Sequence, residues 1–171
     1  MPSMKHCSDC GGELTRKTDT HFNCPDCGRD HYINPKGTVA VVLLKDANTA
    51  YMAVRAREPQ KGKQDCLGGF LDVGENFEQA LYRELQEEAG ISKGDISELK
   101  YLSSSYDPYP WQGGVTHTAS VYFVATLKKG IELKPNDDVA EIIECRISEL
   151  DQNEFAWDGM KTAFTALSQL T

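Results

Sequence analysis

Short apolar runs separated by polar turns predict most strands of this 171-residue chain. The run GTVAVVLL at 37–44 is rich in β-branched residues and predicts a strand. A polar turn at 46–49 leads from it into a second predicted strand at 51–56. The remaining segments with strand composition lie later in the chain, at 99–105, 115–126 and 139–147.

Helical spacing predicts two helices. Asn76 is a suitable N-cap, Gln79 stands three residues on as in a capping box, and Gly90 supplies the C-terminal stop of the first helix. The second helix is predicted at 155–170, where apolar residues recur at helical spacing: Ala156, Met160, Ala163, Phe164 and Leu167. Polar or proline-rich segments at 57–65 and 106–114 are predicted to be loops. This order of elements indicates an α/β fold with a mixed sheet.

Composition and charge narrow the class of protein. The chain is 40% hydrophobic and 26% charged, which is typical of a globular domain. No apolar run approaches the roughly 20 residues that a membrane helix needs. The N-terminal sequence MPSMKH is not followed by an apolar segment, so we expect no secretory signal and a cytoplasmic location. A net charge of -8 makes nucleic acid an unlikely partner, because non-specific binding needs clustered basic residues.

Four of the six cysteines form two C-x2-C pairs near the N-terminus. Cys7 and Cys10 make the first pair, Cys24 and Cys27 make the second, and each pair lies beside glycine or proline. Two tight turns can direct four thiolates at one tetrahedral zinc ion, and a site with four cysteine ligands has no position open for water. The spacing therefore predicts a structural zinc in a small ribbon at 1–34, followed by a second domain at 35–171.

Three glutamates of the first predicted helix share one face. Glu84, Glu87 and Glu88 lie at i, i+3 and i+4, and Arg83 can reach Glu87 one turn along. Carboxylates this close repel one another unless a cation intervenes, and oxygen ligands suit Mg²⁺ or Mn²⁺. Taken alone, such a pattern more often forms a solvated acidic surface than a metal site.

The residues around these glutamates favour the metal site. The segment from Gly69 to Ile91 matches G-x5-E-x7-R-E-U-x-E-E-x-G-U, where U is aliphatic, at every fixed position. It resembles a complete Nudix box. The resemblance implies an α/β/α sandwich and Mg²⁺-dependent hydrolysis of a nucleoside diphosphate linked to another group.

The same resemblance implies roles for individual residues. Glu84, Glu87 and Glu88 would bind Mg²⁺ together with the backbone carbonyl of Gly68. Glu75 and Arg83 would orient the cluster. A further glutamate late in the sheet often completes such sites. Glu141 is the best match, and Glu144 competes with it.

A four-cysteine ribbon directly before a Nudix domain resembles the NADH pyrophosphatases and the FAD pyrophosphatase-like proteins. The segment at 31–36, ending in Asn-Pro-Lys, is similar to the linker of the FAD-type group. The segment at 105–111 is aromatic and proline-rich, but departs from the S-Q-P-W-P-F-P-x-S pattern of the NADH enzymes, which weakens an NADH assignment. Its rings could stack on a base, a nicotinamide or a flavin, and they belong to Tyr106, Tyr109 and Trp111.

Two other classes of function compete with a pyrophosphohydrolase acting on a small-molecule nucleotide. One is a nucleotide-sensing Nudix-like module whose ribbon contacts a partner. Regulators of that type usually have a degraded box and a basic segment, whereas this box is intact and the ribbon has no basic patch. The other is an RNA decapping enzyme, which needs a basic groove. Nudix enzymes are often dimers, so the resemblance also implies a homodimer as a possible partner.

Overall fold

The chain divides into two units, Met1–Pro35 and Lys36–Thr171. The first unit contains three short strands. The structure is a computed structural model and describes residues 4–111 and 113–170. In the first unit, β1 (Thr15–Arg16), β2 (His21–Asn23) and β3 (Asp30–Tyr32) pair antiparallel in the order β1-β2-β3. The buried side chains in this unit include Cys7, Phe22 and Cys24.

A mixed seven-stranded sheet forms the second unit. Its main path runs β10-β5-β4-β9-β8, with β6 paired to β5 and β7 paired to β4. β4 and β9 pair parallel, and the other strand pairs are antiparallel. The strands are β4 (Lys36–Asp46), β5 (Thr49–Arg55), β6 (Gln64–Asp65), β7 (Leu67–Phe70), β8 (Lys100–Trp111), β9 (Gly114–Thr126) and β10 (Val139–Arg146).

Both faces of this sheet are covered by a helix. Side chains alternate along β4, so Val41 and Leu43 pack in the same buried cluster as residues of α1 (Phe77–Ala89). Val42 packs instead in a second cluster with residues of α2 (Asp158–Ser168). The predicted α/β/α sandwich with a mixed sheet is thereby confirmed. None of the described helices is long and apolar enough to cross a membrane.

The first helix forms as the sequence predicts. Asn76 is the N-cap, its side chain accepts a hydrogen bond from the Gln79 backbone N–H, and the Gln79 side chain accepts one from the Asn76 N–H. Gly90 ends the helix in a left-handed conformation. Leu81, Leu85 and Ala89 are fully buried, and Glu84 and Glu88 lie on the neighbouring face of the helix.

The predicted loop at 106–114 is wrong in most of its length. β8 continues through Trp111 and pairs with β9, which begins at Gly114. Pro108 and Pro110 are tolerated because β8 lies at the edge of the sheet. The two prolines lie two residues apart, so both missing N–H groups fall on the same side of the strand.

The second helix begins later than predicted. It starts at Asp158, after a short 3-10 turn at Gln152–Glu154, with Trp157 as an N-cap whose side chain makes no capping hydrogen bond. Asp107 of β8 accepts a hydrogen bond from the Gly159 backbone N–H at 3.0 Å instead. The start of α2 therefore depends on a residue about fifty positions away, which local sequence signals do not reveal.

Candidate active site

Arg83 of α1 joins several carboxylates of the predicted site. Its Nε and Nη2 donate to the two carboxylate oxygens of Glu75 at 2.8 and 2.9 Å, forming a bidentate pair. Its Nη1 donates to Glu84 at 2.8 Å and to Glu87 at 3.1 Å, and Nη2 also donates to the carbonyl of Phe70. The Arg83 guanidinium lowers the pKa of Glu75 to about 2, helped by the Asp72 backbone N–H, so Glu75 stays ionised.

Glu88 faces inward, away from the Arg83 network. Its side chain is buried, and Oε2 accepts a hydrogen bond from the Gly68 backbone N–H at 2.8 Å. Burial, together with the neighbouring carboxylates of Asp138 and Glu84, raises the pKa of Glu88 to about 10, although the Gly68 N–H opposes the shift. A buried carboxylate among other carboxylates needs a proton or a cation beside it, which is the environment that a divalent metal ion would satisfy.

The three glutamates are neighbours on α1, but their side chains do not all face the same cavity. Glu84 and Glu88 line the same cavity, and burial raises the pKa of Glu84. Glu87 is about half exposed and turns toward Arg83. Among the described residues, these carboxylates do not form a group of ligand atoms that all lie within 4.8 Å of one another.

Close backbone approach fixes the strand that faces these glutamates. Gly68 has a φ of +144°, and a Cβ there would lie 2.7 Å from the Cα of Ala40, so only glycine fits between β7 and β4. Gly69 has no such backbone constraint. A Cβ on Gly69 would instead overlap the carboxylate of Glu84. The two glycines therefore let α1 carboxylates lie against the β7 backbone.

Gly69→Ala is expected to lower the kcat of the hydrolysis that the Nudix resemblance implies about ten- to hundredfold. The reason is that a displacement of about 1 Å at a reacting site can cost about a hundredfold in rate. The added Cβ would lie 2.7 Å from the Glu84 carboxyl carbon and would push that carboxylate aside. Gly37→Ala is the matched control, because its Cβ would make only a 3.4 Å contact with Leu71. Steady-state rates and melting temperatures of both variants test this. An unchanged kcat in Gly69→Ala would contradict it.

A cavity of about 550 Å³ opens between these carboxylates and the β8–β9 hairpin. Glu84, Glu88 and Gly68 lie on one wall. Strand alternation places every second residue of the hairpin on the other wall: Asp107, Tyr109, Trp111, Thr116, Thr118, Ser120 and Tyr122. The cavity thus combines carboxylates with aromatic rings and hydroxyl groups.

The same alternation separates the three aromatic residues predicted to bind substrate. Tyr109 and Trp111 line the cavity. Tyr106 does not, because an odd spacing along β8 places it on the opposite face of the strand from both. Its ring is exposed and stacks on His117, with the ring centroids 5.6 Å apart.

Comparison with known proteins places the chain in a family. A sequence profile described as the NUDIX domain matches residues 34–167, which is most of the chain. The chain belongs to the Nudix family. The chain is similar to a crystal structure of a NUDIX hydrolase from Nitrosomonas europaea, with a TM-score of 0.69 and 24% identity over 97% of this chain and 92% of that one. A MutT NUDIX hydrolase from Burkholderia pseudomallei gives a TM-score of 0.62 at 22% identity, over 81% of this chain and 99% of that one.

Curated relatives match part of the chain more closely in sequence. The NAD-capped RNA hydrolase NudC of Escherichia coli O1:K1 is 33% identical over 109 residues. The NudC protein of Shigella boydii serotype 18 gives the same values. The match covers 63% of this chain and 40% of each relative, so it spans less than half of the relatives' length.

Glu141, the predicted late glutamate of the Nudix site, is not among the cavity-lining residues that the structure describes. It is exposed on β10, just after an irregularity in pairing between Val139 and Glu141. Asp138, three residues earlier, lines the cavity beside Glu88. The competitor Glu144 is also exposed and forms an ion pair with Lys45.

Four cavity residues of the Nudix domain carry no local sequence signal. Asp138 precedes β10, and the other three lie at the end of β5, at the end of β6 and at the N-cap of α2: Arg55, Asp65 and Trp157. Arg55 and Asp65 form an ion pair at 2.8 Å, and the Trp157 indole N–H donates to Asp65 at 2.9 Å. Only the folded sheet and the start of α2 bring these residues together.

The predicted zinc cysteines meet in the unit that precedes the Nudix domain. The Sγ atoms of Cys7, Cys10, Cys24 and Cys27 all lie within 4.8 Å of one another. The Cys7–Cys27 and Cys10–Cys24 sulfur distances are 3.7 and 3.5 Å. Tetrahedral zinc with Zn–S bonds of about 2.3 Å needs sulfurs about 3.8 Å apart, so the cluster could bind zinc. Backbone N–H groups of Cys10 and Asp9 lower the pKa of Cys7 to about 6, which favours a thiolate.

Proposed function

We propose that this protein hydrolyses a diphosphate linkage in a nucleoside-diphosphate derivative, with the dinucleotides NAD(H) and FAD as the leading substrates. The observation that carries the proposal is the position of the buried Glu88 and the partly buried Glu84 at the wall of a cavity, beside the Gly68 backbone and the Arg83–Glu75 pair. Membership of the Nudix family supports the reaction class.

Mg²⁺ or Mn²⁺ would be held by Glu84, Glu87, Glu88 and the carbonyl oxygen of Gly68. The donor set fits these hard cations, because it consists only of oxygens and carries excess negative charge that the described side chains leave only partly neutralised. When bound, such ions neutralise phosphate oxygens and acidify water.

The protein's own residues position this chemistry. Glu75 and Phe70 fix the Arg83 guanidinium, which in turn holds Glu84 and Glu87 by hydrogen bonds. These two carboxylates therefore occupy defined positions before substrate binds. A glutamate at the cavity wall can accept a proton from the attacking water, as general base catalysis requires. Glu141 remains a proposed additional carboxylate.

An NAD-capped RNA is a second candidate substrate. The observation that favours it is the 33% identity to proteins named NAD-capped RNA hydrolase. The net charge of -8 favours the free dinucleotide, because a longer RNA would add phosphate repulsion. Comparing the kcat/KM for NAD(H) with that for a short NAD-capped oligonucleotide separates the two. A role as a nucleotide-sensing module is disfavoured by the complete set of box glutamates.

A substrate panel tests the proposed function. The protein is incubated with Mg²⁺ or Mn²⁺ and with NADH, FAD, ADP-ribose, dinucleoside polyphosphates, nucleotide sugars and nucleoside triphosphates. Chromatography of the products is expected to show two mononucleotides from a dinucleotide, such as AMP with reduced NMN or with FMN. Binding of these compounds without cleavage would support the sensing module instead.

A further inference from the structure

The Trp157 side chain lines the proposed substrate cavity and is held there by a polar network. Its indole N–H donates to Asp65 Oδ2 at 2.9 Å. The Arg55 guanidinium lies 5.3 Å from the centroid of the indole ring, within the range of a cation–π contact. Two contacts of different kinds therefore fix the ring's orientation.

Asp65 lies at the centre of this network. Arg55 Nη1 donates to Oδ2 at 2.8 Å, and the Cys66 backbone N–H donates to Oδ1 at 2.8 Å. Burial raises the pKa of Asp65, and Arg55 and Trp157 oppose that shift. Arg55 is fixed in turn by the Pro59 carbonyl, which accepts from Nε at 2.8 Å. A buried carboxylate with this many donors forms a rigid support for the indole.

An aromatic surface extends from Trp157 toward the cavity mouth. The Tyr109 ring lies 4.9 Å from that of Trp157, between centroids, at an interplanar angle of 32°. Phe70 and Trp111 contact Tyr109 in turn, with centroid distances of 5.6 and 6.2 Å. All four rings line the cavity. Phe70 and Trp111 are 36% and 51% exposed, so this surface is open to a ligand and is not a closed core cluster.

We propose that Trp157 is a substrate-binding residue that contacts the heteroaromatic ring of the nucleotide, as part of a surface formed with Tyr109, Phe70 and Trp111. Asp65 and Arg55 are positioning residues that act through Trp157. The inference rests on the proposed function, because the ring on this surface belongs to the same molecule whose diphosphate reaches Glu84 and Glu88. Flat aromatic side chains suit adenine, nicotinamide and flavin alike, because each has a π face.

Equilibrium binding separates ring recognition from catalysis. Calorimetric titrations with AMP, NMN and FMN measure binding of a ring and a phosphate, and inorganic pyrophosphate serves as the ring-free ligand, all with Mg²⁺. Trp157→Ala is expected to weaken mononucleotide binding about five- to hundredfold, the usual range for loss of one stacked base, and to leave pyrophosphate binding unchanged. Tyr101→Ala, an exposed aromatic substitution at the other end of β8, is the matched control.

The kinetic result should show the same selectivity. With a cleaved dinucleotide, Trp157→Ala should raise KM by a similar factor and change kcat by less than about threefold, since its contact is made with bound substrate before and during reaction. Asp65→Asn should raise KM in the same direction, and Trp157→Phe should retain part of the binding. If Trp157→Ala does not fold, Trp157→Leu takes its place and is judged by the same outcomes.

Two results would overturn the inference. One is equal weakening of mononucleotide and pyrophosphate binding in the Trp157 variant, which would show a general structural role. The other is unchanged mononucleotide binding. Failure of the proposed function gives a different pattern, in which no diphosphate is cleaved although AMP, NMN or FMN binds through Trp157.

Discussion

Glu88→Gln is expected to reduce Mg²⁺-dependent hydrolysis about a thousandfold while leaving the fold intact, as for loss of a group that stabilises charge in the transition state. Glutamine keeps the size of the side chain, and its amide oxygen can still accept the hydrogen bond from the Gly68 N–H. What it loses is the negative charge needed to hold a divalent cation. The loss of activity is measured as the steady-state kcat with the dinucleotide that the original protein hydrolyses fastest.

The control for this substitution lies on the same helix. Glu78 is in the first turn of α1 and is exposed, so Glu78→Gln removes one carboxylate from the helix without touching the cavity. Its kcat should stay within about twofold of the original protein, since exposed charges contribute little. Melting temperatures of both variants verify folding. Near-normal activity in a folded Glu88→Gln variant would show that Glu88 is not part of the catalytic site.

Cys24→Ser is expected to abolish zinc binding and to unfold the N-terminal unit. Cys24 is fully buried within the four-sulfur cluster. A unit of about 35 residues falls below the size that usually folds without a metal or disulfide, and structural zinc contributes about 10–16 kcal/mol of apparent binding free energy. Metal analysis should show one zinc per chain in the original protein and much less in the variant. Limited proteolysis should then cleave the segment before residue 36.

The Nudix unit should remain folded and active in this variant. Trp111 and Trp157 both lie in the second unit, so tryptophan fluorescence reports on that unit alone. Cys145→Ser, a cysteine substitution in the second unit, is the matched control. This variant should still bind one zinc ion in its N-terminal unit. Loss of hydrolysis in Cys24→Ser with unchanged fluorescence would mean that the zinc unit has more than a structural role.

The features predicted most accurately from the sequence are those determined locally. The first helix depends on Asn76 and Gly90 at its two ends, and its caps form as expected. The predicted cysteine pairs also meet, because each pair spans a single turn and only their joint position depends on the rest of the unit. Local turn and cap chemistry was sufficient in both cases.

The wrong predictions concern features that are determined by a distant contact or by strand register. Proline and glycine at 106–114 predict a loop, although an edge strand can accommodate Pro108 and Pro110. Because a loop has no regular alternation, the predicted loop gives no reason to place Tyr106 and Tyr109 on opposite faces. The Asp65–Trp157 hydrogen bond links residues 92 positions apart, and no sequence spacing indicates it.

Metal-dependent hydrolysis of a diphosphate linkage is tested most directly by turnover of a dinucleotide in ¹⁸O-labelled water with and without Mg²⁺. We expect two mononucleotides, with one labelled oxygen in the phosphate of one of them, only when the divalent cation is present. Cleavage that releases nicotinamide or inorganic phosphate, cleavage that persists in a metal chelator, or no cleavage of any diphosphate in the panel would contradict this reaction.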